Sequence, residues 1–305
     1  MVPQMHQPVK LQQKVLEGRR PGPHLLITGG VHGDEFEPMV AIRQLMRVVD
    51  PKLLSGKLTL VPVANESAYG NLHRCGADGL DLARTFPGCP EGSVTEQTAA
   101  AVTQLIRTAD YYIDLHTGGT TLSVSPLAGY VLHSVPEVLE KQREMARAFN
   151  LPVVWGTSPD RNTSSLSVAR DANIPAIYAE YLGSAVCHPE GIEAYVEGCL
   201  NVMGLVGMID HQVHSSRVEH TVEDARPQSG YMQTKNPAPI DGYFQPQVML
   251  GQRVTAGDLL GVVSDELGDV CEEVRSAQTG LVLVLRTFPR VSQGDGLGVV
   301  LELET

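Results

Sequence analysis

The sequence predicts an α/β protein, a mixed sheet flanked by helices, followed by a small all-β C-terminal domain. Over the first two-thirds, short apolar runs alternate with stretches of helical period, the order that yields a sheet covered by helices on both faces. After about residue 214 the helical periods stop, and short β-type runs recur between glycines at 242, 251, 257, 261, 268, 280, 294 and 296, the spacing of a small sandwich or barrel. A chain of 305 residues is long enough for two such units, expected at 1–214 and 215–305.

The first strand is the apolar run His24 to Thr28, which ends at Gly29-Gly30 and opens into a helical pattern from Phe36 to Val49. Leu58 to Val63 reads as a second strand. Val94 to Thr108 is Ala-rich and helical, with Ser93 or Thr95 as its cap. Tyr111 to Leu115 is a strand, Pro136 to Phe149 a helix, Ala176 to Tyr181 a strand, and Pro189 to about Asp210 a long helix. Ligands in such sheets collect at the carboxyl ends of the strands. The segment from Ser215 to Pro239 is polar and punctuated by prolines. Beyond it, Val248 to Gly261 is similar to half of a biotinyl- or lipoyl-type barrel, but no lysine follows Lys235 to carry such a cofactor, so the segment is read as structural.

Composition narrows the function. Hydrophobic residues make up 42% and charged residues 19%, a globular balance. The net charge of −12 repels phosphate backbones and anionic lipid, so neither nucleic acid nor a membrane is an expected partner. No apolar run reaches the roughly 18 residues that a spanning helix needs, and the start MVPQMHQPVKLQQ lacks a basic-then-apolar leader pattern. Five scattered cysteines without CxxC spacing suit a reducing compartment, so a cytoplasmic location is expected.

The chemistry-bearing residues stand at strand ends. In Gly29-Gly-Val-His32-Gly-Asp-Glu35, one tight turn between strand and helix offers an imidazole and a carboxylate to a single ion. His116, where the strand run Tyr111 to Leu115 gives way to Thr-Gly-Gly, supplies a third ligand. Two His and one Glu make a catalytic zinc set, one ion per chain, with a position left for water or substrate. Zinc lowers the pKa of its water to roughly 7, and a general base must still move the proton. Glu180, a lone carboxylate ending the apolar strand Ile177-Tyr-Ala-Glu-Tyr, is the candidate, although such a residue can also stand solvated beyond its strand. Arg84, in the compact loop Leu80 to Gly88, could stabilise a tetrahedral oxyanion or clamp a substrate carboxylate. Arg74 and Arg170 are further candidates. Cys187-His188-Pro189 is read as a helix start, and His211, His214 and His220 as a solvated cluster.

These residues resemble the succinylglutamate desuccinylase/aspartoacylase family, a branch of the zinc carboxypeptidase superfamily. The resemblance rests on Gly-Gly-Val-His32-Gly-Asp-Glu35, Asn65, Arg74, Asp81-Leu-Ala-Arg84-x-Phe86-Pro-Gly88, Asp114-Leu-His116-Thr-Gly and Glu180, in the family's order. It implies a zinc carboxypeptidase-like fold, with His32, Glu35 and His116 as zinc ligands and Glu180 as general acid/base. Arg84 would stabilise the carbonyl oxygen, and Asn65, Arg74 and Arg170 would bind substrate, Arg170 by gripping a carboxylate. The C-terminal β domain would fold over the mouth of the site. The family's usual Asp-Leu-Asn-Arg reads Asp81-Leu82-Ala83-Arg84 here, which removes an amide expected at the substrate's carboxylate. Two extra residues lie between Arg74 and Asp81, and the last tyrosine is Tyr243 where aspartoacylases carry a later one.

The expected function is zinc-dependent hydrolysis of the amide of a small N-acyl amino acid or related amide, by zinc-hydroxide attack assisted by Glu180. A carboxypeptidase-like peptidase is an alternative that the capping β domain disfavours. A non-catalytic metal-binding protein retaining the fold is another, favoured by Ala83 and opposed by the intact ligand set. Diamino acid derivatives are among the substrates that the acidic composition suits, and self-association into a homo-oligomer is left open.

Overall fold

The computed structural model describes residues 9–212 and 215–303. Along the first part of the chain come β1 (Lys14–Glu17), β2 (Arg20–Thr28), α1 (Phe36–Val48), β3 (Ser55–Val61), α2 (Glu66–Gly70), α3 (Val94–Ile106), β4 (Tyr111–His116), β5 (Leu122–Val131), α4 (Pro136–Phe149), β6 (Val153–Thr157), α5 (Ser165–Asp171), β7 (Ala176–Gly183), α6 (Pro189–Leu205) and β8 (His220–Asp224). Strands β1, β3, β2, β4, β7 and β5 lie side by side in that order, with β2, β3, β4 and β7 mutually parallel and β1 and β5 antiparallel to their neighbours. Beyond β5, β6 and then β8 add in parallel. The sheet is therefore mixed and helix-flanked.

Alternation along the strands explains why their sequences are apolar throughout. Leu25 and Ile27 of β2 join the core under α1, α4 and α6, with Ile42, Leu45, Phe149, Tyr195 and Met203. Leu26 points the other way, to Val61, Ala99, Val102, Ile106 and Tyr112 beneath α3. The same alternation sorts the functional side chains. Ile113 and Leu115 of β4 and Ile177 and Ala179 of β7 are in the first core, so Asp114, His116, Tyr178 and Glu180 stand on the opposite face.

Several boundaries have local causes. The helix α3 starts at the predicted Ser93, whose N–H donates to the Glu96 carboxylate at 2.8 Å. The helix α6 ends at Leu205 rather than near Asp210 because Gly207 turns left-handed (φ +76°). Its N–H then bonds the Gly204 carbonyl and that of Met208 the Met203 carbonyl, closing the helix end. His188 stands just before Pro189 and its N–H donates to buried Glu37 at 2.9 Å, a helix start as read from sequence. His211 bonds Asn201 at 2.7 Å and His220 opens β8. His214 and most of the N-terminal stretch MVPQMHQPVKLQQ lie outside the described residues.

The C-terminal part comprises β9 (Gly242–Pro246), β10 (Arg253–Val254), β11 (Leu259–Ser264), β12 (Cys271–Arg275), β13 (Gly280–Arg286), β14 (Arg290–Val291) and β15 (Gly298–Leu301). Strands β12, β11, β9 and β14 form a four-stranded antiparallel sheet. Strand β13, carrying β10 and β15, instead pairs with β5 of the large sheet, Val284 opposite Val124. Leu122, Val124 and Trp155 pack with Leu283, Val299 and Leu301 across this junction. The chain also returns to the large sheet after residue 214, through β8 beside β6. Among the described residues, no helix is long and apolar enough to cross a membrane.

Candidate metal centre and active-site cleft

His32 and Glu35 lie in the turn between β2 and α1. This turn is packed against α2 so closely that a Cβ on Gly33 would meet the Ala68 carbonyl carbon at 2.2 Å. Only glycine permits that approach. The loop after β4 docks on the same turn: the Thr117 N–H reaches Glu35 at 3.2 Å, and the Thr120 N–H reaches Asp34 at 2.9 Å. His116, at the end of β4, is thereby brought beside Glu35.

The three side chains converge. His32 Nδ1 is 2.6 Å from Glu35 Oε1 and His116 Nδ1 is 3.1 Å from Glu35 Oε2. One nitrogen or oxygen from each of the three residues falls within 4.8 Å of the others, a spacing that fits a single ion. The far nitrogens are also engaged, His32 Nε2 with Asp81 at 3.0 Å and His116 Nε2 with Asp114 at 3.2 Å. Carboxylates in these positions fix the ring orientation and tautomer of a metal-ligating histidine. Asp114 is itself held by the hydroxyls of Thr28, at 2.7 Å, and Ser165. Burial opposes charge on Glu35, but the two imidazoles overcome it and hold the carboxyl well below the usual range. Burial likewise disfavours the charged His116 ring, and Asp114 and Glu35 reverse this and raise its pKa. A site with this much negative charge behind two imidazoles suits a cation.

Glu180 of β7 stands in register with His116 of β4. Its Oε2 is buried and has no hydrogen-bond partner among the described residues. Burial pushes its carboxyl up to about 8, with His116 opposing and Glu35 adding to the shift. The residue is thus held in the site and not solvated beyond its strand.

The cleft around these residues encloses about 930 Å³, counting its open mouth. Arg74 enters it with Nη1 3.7 Å from Glu35, donating to Asp81 at 3.0 and 3.1 Å. Arg84 stands at the exposed rim, donating to the Ala83 carbonyl at 2.9 Å and to Gln233 at 3.2 Å. Where its guanidinium enters the cleft, desolvation and the neighbouring Arg161 lower its pKa to about 10. Ala83 also lines the cleft, and Tyr231, Met232 and Gln233 wall it from the segment beyond β8.

Two of the sequence candidates are not brought into the cleft. Asn65 is buried behind it, where its side chain accepts from the Ala68 N–H at 3.1 Å and caps α2. Arg170, on α5, donates to the Pro159 carbonyl, to the Arg161 carbonyl at 3.2 Å and to Asn162 at 2.8 Å. It ties down the loop between β6 and α5. That loop instead presents Arg161, which sequence reasoning missed. The Arg161 guanidinium lies 4.0 Å from the centre of the Tyr231 ring and has no hydrogen-bond acceptor among the described side chains and carbonyls. A lone Arg in a Pro-Asp-Arg-Asn loop carried no signal of this; its burial depends on the distant Tyr231. Tyr178 was missed too, although it stands two residues before Glu180 and so shares its face.

Comparison with known proteins identifies the family. Residues 21–206 match the model of the family described as the succinylglutamate desuccinylase/aspartoacylase catalytic domain. The chain is 30% identical over 292 residues to an N-alpha-acetyl-L-2,4-diaminobutyric acid deacetylase of Halomonas elongata, covering 93% of this chain and 84% of that protein. Its structure is similar to a succinylglutamate desuccinylase/aspartoacylase from Rhodobacter sphaeroides, with a TM-score of 0.87, 25% identity and 97% and 90% of the two chains covered. It is also similar to the product-bound ectoine utilization protein EutE (DoeB) from Ruegeria pomeroyi, with a TM-score of 0.85, 27% identity and 94% and 87% covered. With its family model matched over most of the α/β part and a deacetylase relative aligned along nearly its whole length, the chain belongs to the succinylglutamate desuccinylase/aspartoacylase family, whose members are deacylases.

Proposed function

We propose that the chain hydrolyses the amide of a small N-acyl amino acid in the cytoplasm, using one zinc ion held by His32, Glu35 and His116. The observation that carries this is the buried, unpartnered oxygen of Glu180 beside that triad. A carboxylate so placed is costly unless something occupies the cleft next to it. When bound, the ion supplies Lewis acidity toward the acyl carbonyl and acidifies the attacking water.

The rest is done by the protein's own groups. Glu180 takes the water's proton on its free oxygen and returns it to the departing amine nitrogen, a task suited to a carboxylate oxygen left without a partner beside the triad. Arg74, fixed by Asp81 and close to Glu35, is the guanidinium that meets the charge developing on the acyl oxygen. Arg84 was expected either at that oxygen or at a carboxylate; its place at the rim beside Arg161 favours the carboxylate. Two adjacent guanidiniums repel each other until an anion lies between them. With the substrate carboxylate between them, Arg161 serves in place of the amide lost at Ala83.

Amine release from N-acetyl, N-succinyl and N-formyl amino acids by zinc-loaded protein tests the reading. Glu180→Gln should lower kcat by roughly 10²–10⁴ while zinc content stays at one per chain. Near-normal turnover in that variant would remove Glu180 from its role.

A further inference from the structure

We propose that the amino-acid side chain of the substrate is uncharged and apolar, received by a wall made of Leu166, Val131 and Tyr178; this rests on the deacylase reading above. The relative from Halomonas elongata is named for a substrate whose side chain is an amine, so the inference separates this chain from it.

The charged groups of the cleft are already accounted for. Its only lining carboxylates, among the described residues, are Glu35 and Glu180. Glu35 lies between the two histidines, and Glu180 faces the scissile amide in the proposed reaction. No acid remains for an ammonium side chain. Of the lining cations, Arg74 is committed to Asp81, while Arg84 and Arg161 meet the α-carboxylate. A second carboxylate would find no partner of its own.

What remains near the carboxylate is aliphatic and aromatic. Arg161 and Leu166 belong to one short segment, the loop after β6 and the first turn of α5, so a group on the substrate's α-carbon lies next to both. Leu166 is buried, and Val131 lines the cleft from the end of β5. The phenol end of Tyr178 lies against Gly129 of β5: a Cβ there would meet ring carbons at 2.2 Å, so only glycine leaves the ring its place on the wall. Of the hydroxyls nearby, those of the first turn of α5 are spent within the protein, and the Tyr178 hydroxyl is a neutral group that offers no counter-charge. Ser165 bonds Asp114, and Ser164 accepts from the Ser167 N–H at 3.2 Å. A charged side chain in this position would lose its water and gain no partner of opposite charge.

The test compares N-acetyl-L-methionine and N-acetyl-L-leucine with N-acetyl-L-aspartate and Nα-acetyl-L-2,4-diaminobutyrate. For zinc-loaded wild type, kcat/KM should favour the apolar pair by about 100-fold or more. Calorimetric binding of the same four compounds to Glu180→Gln should follow the same order, independently of turnover. Equal or tighter binding of either charged compound overturns the inference, and the deacylase reading then stands or falls on turnover alone. Apolar preference in binding without turnover of any compound sinks the deacylase reading and keeps the subsite. Leu166→Asp should shift the preference toward the diaminobutyrate derivative; should it fail to fold, the wild-type and Glu180→Gln measurements decide.

Discussion

Glu180 illustrates how one residue can be read from sequence only in part. An acid at the end of an apolar strand is visible in Ile177-Tyr-Ala-Glu-Tyr, but whether it is solvated depends on His116 across the sheet. Its raised pKa has a thermodynamic consequence in metal-free protein. The unfolded carboxyl titrates near 4.3, and the folded one at about 8. The folded state therefore binds the extra proton between these values. This contribution to stability is complete below about pH 4 and is lost as pH rises through 8. Glu180→Gln does not ionise, so in chelator its melting temperature should gain on wild type between pH 5 and 8.5. A difference that stays flat with pH would mean that Glu180 is not desolvated. Arg161 allows a second residue-scale prediction. A charge-assisted hydrogen bond is worth about 1.5–3 kcal/mol, so Arg161→Ala should lower kcat/KM roughly 10- to 100-fold, chiefly through KM. Unchanged KM would exclude it from the substrate carboxylate.

At the scale of elements, the metal turn and the strands β2, β3, β4 and β7 were legible because buried parallel strands are continuous apolar runs. Strand β5 was not: Leu122–Val131 contains Ser123, Ser125, Pro126 and Gly129, and its register slips between Val124 and Leu127. The glycine that breaks its pattern is the one on which Tyr178 lies. Helix α5 escaped notice because it spans only seven residues, too few to display a helical period. Arg170 shows how such an element can mislead. Its separation from Glu180 suits a substrate-binding arginine, yet α5 turns it onto the loop carbonyls at 159 and 161. Its effect on substrate should then be indirect. Arg170→Ala removes the ties that order the Arg161 loop, at about 1 kcal/mol. KM should rise roughly fivefold with kcat nearly unchanged. A large fall in kcat with normal KM would mean that Arg170 touches the reacting atoms.

For the whole molecule, the order of an α/β part followed by a β part was legible, but the joint between them was not. The sequence reading places a boundary at residue 214, and nothing in an apolar run such as Gly280-Leu-Val-Leu-Val-Leu-Arg286 indicates which sheet it joins. It joins the large one, beside β5, and Leu283 is fully buried among Leu122, Val124, Trp155 and Val299. Strand β5 thus carries both the cleft wall at Val131 and the C-terminal attachment at Val124. This sharing couples stability to function. Leu283→Ala deletes buried methyl groups at the joint and should cost about 2–5 kcal/mol. Because the cluster at the joint draws on both parts, wild type and variant should each unfold in a single calorimetric transition, the variant's displaced to lower temperature. KM should also rise in the variant, since Tyr231, Met232 and Gln233 lead from the large sheet into the C-terminal strands and wall the cleft. Two resolved transitions, with only the lower one shifted by the substitution, would instead show that the C-terminal part folds independently and that the cleft does not depend on this joint.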